Sequence, residues 1–413
     1  MNTNKFFGSI MILIGTTIGV GMLALPTYCG AAGFAFSSVV MLLLWALSIA
    51  TGLMIVEVNL AFPTHACTFN TMAEQLLGPI GKAVTWISYL FLLYSVTTVY
   101  IAGESSIIAA TLEPVLNTKI PGWVNATAFT LILGMAVFWS TKTVDYFNRG
   151  LFSLKGVLLL ITIALIMPHI DISKLNASQH IEQTRYLWVA APIFLAAFGN
   201  QFVIPSIRIY IGAKPKELKW VVVLGATGSL IIYFLWLAVT LGTVPLTGDN
   251  SFTSWAQNYP GSMGEFIKTV TNTLDNKWIT SSINSFYNIA MTTSFLGVTL
   301  SLFDFLADGF KRPDTRSGRL QTAGLTFIPP LFFALLFPES FSKALTFAVV
   351  FLSVLVVILP AMMIYKLRKD PNLKSSYRMF GGNLLLAATI LIGAAIVVLC
   401  IMSNLNLLPN IGL

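Results

Sequence analysis

Charge is what this chain has least of. Only 10% of its 413 residues are Asp, Glu, Lys or Arg, against 56% hydrophobic, and the mean hydropathy is +0.81. Soluble domains carry roughly 25% charged residues, so a soluble fold is excluded and a polytopic membrane protein remains. Cysteine is nearly as scarce: Cys29, Cys67 and Cys400 are far apart, odd in number and in or near apolar segments. They offer neither a disulfide framework nor a metal cluster. The chain has no glycine-rich loop ending in Lys-Ser or Lys-Thr and no His-Glu-x-x-His, which argues against an ATP-driven pump and an intramembrane zinc protease. His65, His169 and His180 read as solvated loop residues rather than ligands. No cofactor and no metal is expected.

What the chain has in abundance is apolar runs near the ~20 residues needed to cross a bilayer. Eleven are present, over roughly 6–30, 33–61, 83–110, 123–141, 150–168, 187–210, 219–244, 279–307, 320–338, 344–365 and 382–404. The basic residues test that reading, because cytoplasmic loops hold the Lys and Arg excess. With the N-terminus inside and the C-terminus outside, eighteen of the 24 basic residues fall on the cytoplasmic side. The six outside are Lys119, Lys174, Arg185, Lys268, Lys277 and Lys343. One span more or fewer in the middle would reverse everything downstream and spoil the split. The net charge of +8 is then a matter of topology and anionic lipid, and calls for no nucleic acid.

The first run begins like a signal peptide, with Lys5 ahead of an apolar stretch. Its length and the "PTYC" before Cys29 lack a small-residue cleavage site, so it is expected to stay as span one. The longest polar stretch, 245–278, is expected outside; "PTHACTFNTMAEQLLGPIG" (63–81) is expected inside as an interfacial or re-entrant helix. There is no room for a large extramembrane domain, and a monomer is the default expectation.

Residues 15–26, "GTTIGVGMLALP", set three glycines and a proline inside span one. Helix-interior glycine costs roughly 1 kcal/mol and proline about 3, and freed backbone groups in lipid cost more. One reading is close packing through Gly15-x-x-x-Gly19. Span six repeats the pattern, however, in "FLAAFGNQFVIPS", with Gly199, Asn200 and Gln201 in the apolar run and Pro205 behind them. Span six follows span one by an odd number of spans, so the two run in opposite directions, as inverted repeats of five require. Matching interruptions in two inverted halves point to the binding site of a secondary transporter. The fold class expected is an all-α polytopic membrane protein of eleven helices: a first repeat over 1–168, a second over 169–366, and a C-terminal helix within 367–413.

Four stretches resemble a known family: "GTTIGVGMLALP", "TVDYFNRGLF" (143–152), "TSFLGVTLSLFDFLADGFK" (293–311) and "LTFIPPLFFALLFP" (325–338). They are similar to the hydroxy and aromatic amino acid permeases, in particular the bacterial tyrosine-specific branch. That family lies in the amino acid, polyamine and organocation superfamily and shares the five-plus-five inverted-repeat fold of the leucine transporter. The resemblance runs over nearly the whole chain. It departs at one point, where "FGNQF" stands in place of the His that usually follows the span-six Phe-Gly.

A zwitterion must be held at low dielectric, and broken helices supply the means. Free N–H groups at the start of a half-helix sit at the positive end of its dipole and suit a carboxylate, so Gly19, Val20 and Gly21 are the candidate donors. By resemblance, carbonyls of Thr17 and of Ala196, Ala197 and Phe198, beside Gly199, would meet the ammonium. Thr16 and Thr17 could add hydroxyls or bond back to their own helix. Tyr94, Phe194, Asn200 and Gln201 are candidate lining for the side chain, the amides because mid-membrane amides are expensive without a task.

Among ionisable groups, Glu57 is expected to meet interfacial basic residues, and Glu104 to face a vestibule, an interface or a coupling ion. Asp304 and Asp308 are expected to pair with Lys311 and Arg312. Lys155, in "NRGLFSLKGVLLL", lies about 9 Å beyond Arg149 at ~1.5 Å per residue. In sodium-coupled superfamily members a cation is held by carbonyls of span one and hydroxyls of span eight, matched here by Gly15, Ile18, Thr293 and Ser294. A lysine ammonium from span five could take that place and release its proton during the cycle, or could instead snorkel to the interface. The resemblance implies proton-coupled import of an aromatic amino acid, tyrosine first, across the bacterial inner membrane; the alternative is sodium-coupled uptake of a neutral amino acid. A channel would show no saturable, ion-coupled accumulation, and an enzyme would alter the compound it binds.

Overall fold

Lipid offers no partner to a backbone N–H or C=O, so apolar runs of this length close their hydrogen bonds within helices. The computed structural model describes residues 3–63, 68–139, 141–176, 186–259, 261–313, 315–337 and 340–408, and its regular elements there are all helical. Among the described residues, ten helices are long and apolar enough to cross a membrane, eleven when the bent pair near the N-terminus is one span. His65, His180 and Cys67 lie outside the described residues.

Span one is Thr3–Thr17 followed by Val20–Cys29, bent by 49° between them. Span two is Phe34–Leu60, and span three belongs to Phe69–Leu116. Spans four and five are Gly122–Trp139 and Thr141–Ile166. Span six is Leu187–Phe198, a short 3-10 turn Gln201–Val203, and Ile204–Ile211. Spans seven, eight and nine are Pro215–Leu241, Lys277–Gly309 and Arg316–Leu336. Span ten runs from Ser340–Ser353 through a π-helical turn Val354–Ile358 into Leu359–Leu367, and span eleven is Asn383–Asn404.

The polar segments are ordered by local chemistry. The amphipathic stretch continues into span three, with Gly78 at φ +72° making the corner, a conformation that glycine adopts without strain. Thr68 caps its start. The 245–278 stretch forms two short helices, Phe252–Asn258 and Met263–Leu274, capped by Ser251 and Ser262. The second buries Phe266, Ile267 and Val270 against span three, and a Cβ on Gly264 would meet the Ser106 carbonyl at 2.0 Å. His169 is exposed in a short turn.

The two interrupted spans lie at the centre. The second half of span one packs on the first half of span six, with span two behind six and span seven against the first half of span one. Spans three and five both pack on span eight. At one end Glu57 of span two accepts both arms of the Arg368 guanidinium, each at 2.8 Å, and the Met379 amide at 2.7 Å. A buried carboxylate met by a forked, charge-assisted pair is satisfied; it ties span two to the segment after span ten.

Candidate functional site

The first break occupies Ile18 and Gly19. Gly19 is extended, at φ −150° and ψ −159°, and its N–H donates to the Thr17 carbonyl at 2.9 Å. The helix restarts at Val20, leaving the amides of its first turn without intrahelical acceptors. The Tyr100 hydroxyl of span three and the Ser294 hydroxyl of span eight both face this break, 3.3 and 3.5 Å from where a Cβ on Gly19 would sit. Of the three expected carboxylate donors, Gly19 is therefore engaged by its own chain, while Val20 and Gly21 stand at the positive end of the half-helix.

Each glycine of this stretch has its own steric reason. A Cβ on Gly15 would sit 1.7 Å from the ring of Phe152, on Gly21 2.7 Å from the Ala197 backbone, and on Gly19 3.3 Å from the Tyr100 hydroxyl. Gly15 and Gly21 are thus close-packing positions against spans five and six. Gly19 faces the polar groups, and a Cβ there would fit only if the Tyr100 hydroxyl gave by a few tenths of an ångström.

Lys155 reaches the same break from span five. Its ammonium is buried and donates to the carbonyls of Ile18 at 2.7 Å and Gly15 at 3.5 Å, with the Phe152 ring centroid 4.9 Å away. The side chain therefore runs inward, against the snorkelling alternative. Of the expected cage, the Thr293 hydroxyl bonds back to the Ala290 carbonyl at 3.0 Å, and the Ser294 hydroxyl lies beside Gly19, 3.5 Å from where its Cβ would sit.

Between the two broken spans stands Tyr233 of span seven. Its hydroxyl lies 2.9 Å from the Thr17 carbonyl and 2.6 Å from the Ala197 carbonyl. One hydroxyl proton serves one acceptor at a time, so the pair of carbonyls has capacity for a further donor. The Phe198 carbonyl already accepts from Ser48 at 3.1 Å and from the Asn200 amide at 2.9 Å. Phe198 itself packs edge-on against the Tyr233 ring, with centroids 5.0 Å apart.

The side-chain amides of the second break bond to neighbouring helices. Asn200 donates to the Leu13 carbonyl at 3.3 Å, and Gln201 donates to the Ser48 and Thr51 hydroxyls at 2.9 and 3.2 Å. Those hydroxyls already give their protons to the carbonyls of Phe198 and Leu47, so they can only accept from Gln201, which fixes the amide's orientation. Gly199 is pinned by Leu352 of span ten, 2.5 Å from where a Cβ would be. Their NH2 groups thus brace the break against spans one and two, while the Gln201 Oε1 is enclosed without a partner among the described residues.

Hydrogen bonding places the remaining candidates. The Tyr94 hydroxyl donates to the Leu325 carbonyl of span nine at 2.8 Å and its ring joins a satellite cluster with Leu93 and Leu302; Tyr100, six residues on, is the span-three tyrosine that reaches the break. Thr16 is exposed and bonds back to Leu13 at 2.8 Å, while Thr17 bonds back to Ile14 at 2.5 Å and meets Ser229 at 2.9 Å. Phe194 and Ala197 are buried in the core beside the break, and Ala196 is half-buried. Glu104 is buried one turn beyond Tyr100, with Oε2 lacking a partner among the described residues. Asp304 and Asp308 lack the expected ion pairs there: the Arg312 guanidinium goes to Gln321 instead.

Sequence reasoning misses Tyr100, Tyr233, Phe152 and Ser48. Their signal is three-dimensional. Nothing in the linear pattern separates them from other aromatic and hydroxyl residues in spans.

The comparisons agree with this architecture. Solved structures of a manganese transporter from Eremococcus coleocola share the fold; a histidine-to-alanine mutant of it superposes with a TM-score of 0.63 at 12% identity, over 96% of this chain and 85% of that one. A tryptophan-specific transport protein of Pseudomonas aeruginosa is 34% identical over 98% of this chain and 96% of its own. A tyrosine-specific transport system of Haemophilus influenzae is 32% identical over 95% and 96%, and the low affinity tryptophan permease of Escherichia coli 32% over 98% and 97%. The profile of the tryptophan/tyrosine permease family matches residues 2–401, and the chain belongs to that family of multi-pass bacterial inner-membrane transporters.

Proposed function

We propose that the chain is a proton-coupled symporter that imports an aromatic amino acid, tyrosine by our reading, with its N-terminus inside and its C-terminus outside. The observation that carries the reading is Lys155, whose buried ammonium is held by the carbonyls of Ile18 and Gly15 at the first break. A fixed cation there does what a bound sodium ion would do, and a lysine can exchange its charge by losing a proton. The substrate carboxylate is met by the Val20 and Gly21 amides and the Tyr100 hydroxyl, and the ammonium by the Thr17 and Ala197 carbonyls. Proton loss at Lys155 loosens its hold on span one. That links the ion to the half-helix that holds the substrate.

Residues 1–168 and 169–366 form the two inverted repeats in this reading, and 367–413 carries the added helix. The lysine and arginine distribution supports the orientation. The relatives named for tryptophan and for tyrosine support an aromatic cargo.

Uptake of labelled tyrosine into proteoliposomes under imposed pH or sodium gradients tests the reading, with unlabelled tryptophan and phenylalanine as competitors. Uptake is expected to follow the pH gradient and ignore sodium, and Lys155→Ala is expected to lose accumulation while keeping exchange. A sodium requirement, or a Lys155→Ala protein that still concentrates tyrosine on a proton gradient, would overturn proton coupling through this residue.

A further inference from the structure

Beyond the breaks, a cavity of about 560 Å³ opens between spans three, six, eight and ten. Its volume falls within the ~300–1,000 Å³ typical of small-molecule pockets. One wall is Phe202, in the turn directly after Gln201 of the second break; another is Asn70, at the start of the amphipathic stretch before span three. The cavity thus runs from beside the site to the end of the bundle where the basic loops gather.

Its lining matches the parts of one kind of molecule. Trp86, Tyr89 and Phe305 form an aromatic wall, Phe305 lying 5.3 Å from Trp86 and 5.1 Å from Tyr89 between centroids. Offset and edge-on faces at such distances leave a slot that another ring can extend. Asp308 lines the cavity beside them and, among the described residues, carries no ion pair. Asn70 also lines the cavity, with its Oδ1, an acceptor, enclosed without a partner among the described residues; the backbone amides of residues 69 and 70 precede the first intrahelical acceptor of their helix and are free to donate. Ser206 adds a hydroxyl to the lining.

We infer that this cavity is a second binding site for the transported aromatic amino acid, with the ring against Trp86 and Phe305, the ammonium at Asp308 and the carboxylate at the 69–70 amides. A purely apolar occupant would make no use of the Asp308 carboxylate at the cavity edge. An inorganic cation would make no use of the aromatic wall. The inference rests on the reading of the chain as an aromatic amino acid transporter, and it gives the substrate a station between the breaks and the open end.

The test is equilibrium dialysis of labelled tyrosine against the full-length protein in detergent. Two classes of site per chain are expected. Asp308→Asn, an exposed and nearly isosteric change, should weaken one class at least tenfold and leave the other; Trp86→Ala should weaken the same class. Tyr100→Phe should weaken the other class alone. A single class in the wild-type protein, abolished by Tyr100→Phe, would overturn the second site and keep the transporter reading. Two classes both indifferent to Asp308→Asn and Trp86→Ala would place the second site elsewhere and overturn this one. Absence of saturable binding for tyrosine, tryptophan and phenylalanine alike would overturn the transport reading itself.

Discussion

Span one and span six are both interrupted near their middles, yet the groups that satisfy the two interruptions come from different places. The first break is bonded by Lys155 of span five and Tyr233 of span seven, and faced by the hydroxyls of Tyr100 and Ser294 from spans three and eight. The second is met largely by span one and span two, through the Leu13 carbonyl and the Ser48 and Thr51 hydroxyls. The first therefore gathers a cation, two phenols and a hydroxyl around free backbone amides. The second is a braced corner whose own amides hold it to its neighbours. In the proposed reading, ligand and ion chemistry concentrates at the first break, and the second contributes chiefly the carbonyl of Ala197 and the surface of Phe198.

The largest expected effect separates packing from chemistry within the first break. Gly21→Leu drives a side chain into the Ala196 and Ala197 backbone, already 2.7 to 2.8 Å from a Cβ alone. Overpacking costs ~1–3 kcal/mol and often more where backbone must move, so the variant should lose both uptake and thermal stability. Size-exclusion chromatography with a melting curve checks this. A variant that is inactive but as stable as wild type would return Gly21 to a purely chemical role.

Next in size is Tyr100→Phe, which removes one hydroxyl and no volume. A hydrogen bond to a charged group contributes ~1.5–3 kcal/mol, which at ~1.4 kcal/mol per tenfold means a KM raised by about tenfold to a hundredfold. The melting temperature should stay near the wild-type value. Unchanged KM would mean that the phenol faces the break without touching the substrate.

The spans and the two breaks are legible in the sequence, because hydropathy and glycine with proline are rare local signals; a lone lysine in an apolar run flags Lys155 but leaves it open between the break and the interface. Tyr94 stands in for Tyr100 at that level because both lie mid-span and only packing decides which face meets span one. The Thr16 and Thr17 hydroxyls have two partners within reach, and the helix's own carbonyl, three residues back, wins in both. Asn200 and Gln201 are costly at mid-membrane, but a costly amide can be satisfied by neighbouring helices as well as by a ligand. Ser48 and Thr51, the residues that satisfy Gln201, sit some 150 positions away in sequence, beyond any motif.

Gln201→Ala comes third. It removes the bonds to Ser48 and Thr51 and leaves both hydroxyls without their buried donor, a loss of ~1–3 kcal/mol. A bracing role predicts lower thermal stability and equal proportional losses of tyrosine and phenylalanine uptake. Selective loss of tyrosine, with phenylalanine spared, would put the amide on the phenol and erase the contrast between the breaks.

Asn200→Ala should have the smallest effect of the series. Its one hydrogen bond runs 3.3 Å to the Leu13 carbonyl, which belongs to the helix before the first break and can keep its intrahelical donor when the amide is gone. A neutral bond of that length is worth ~0.5–1.5 kcal/mol, and the backbone N–H of Asn200 still holds the corner through the Phe198 carbonyl at 2.9 Å. The expected outcome is a melting temperature lowered by a few degrees at most, with the ranking of tyrosine, tryptophan and phenylalanine in competition assays unchanged. Since Asn200 links the second break to span one, the sharper readout is the double variant with Gln201→Ala: two braces on one corner should show stability losses that do not simply add. Additive losses together with a changed substrate ranking would show that Asn200 faces the cargo after all.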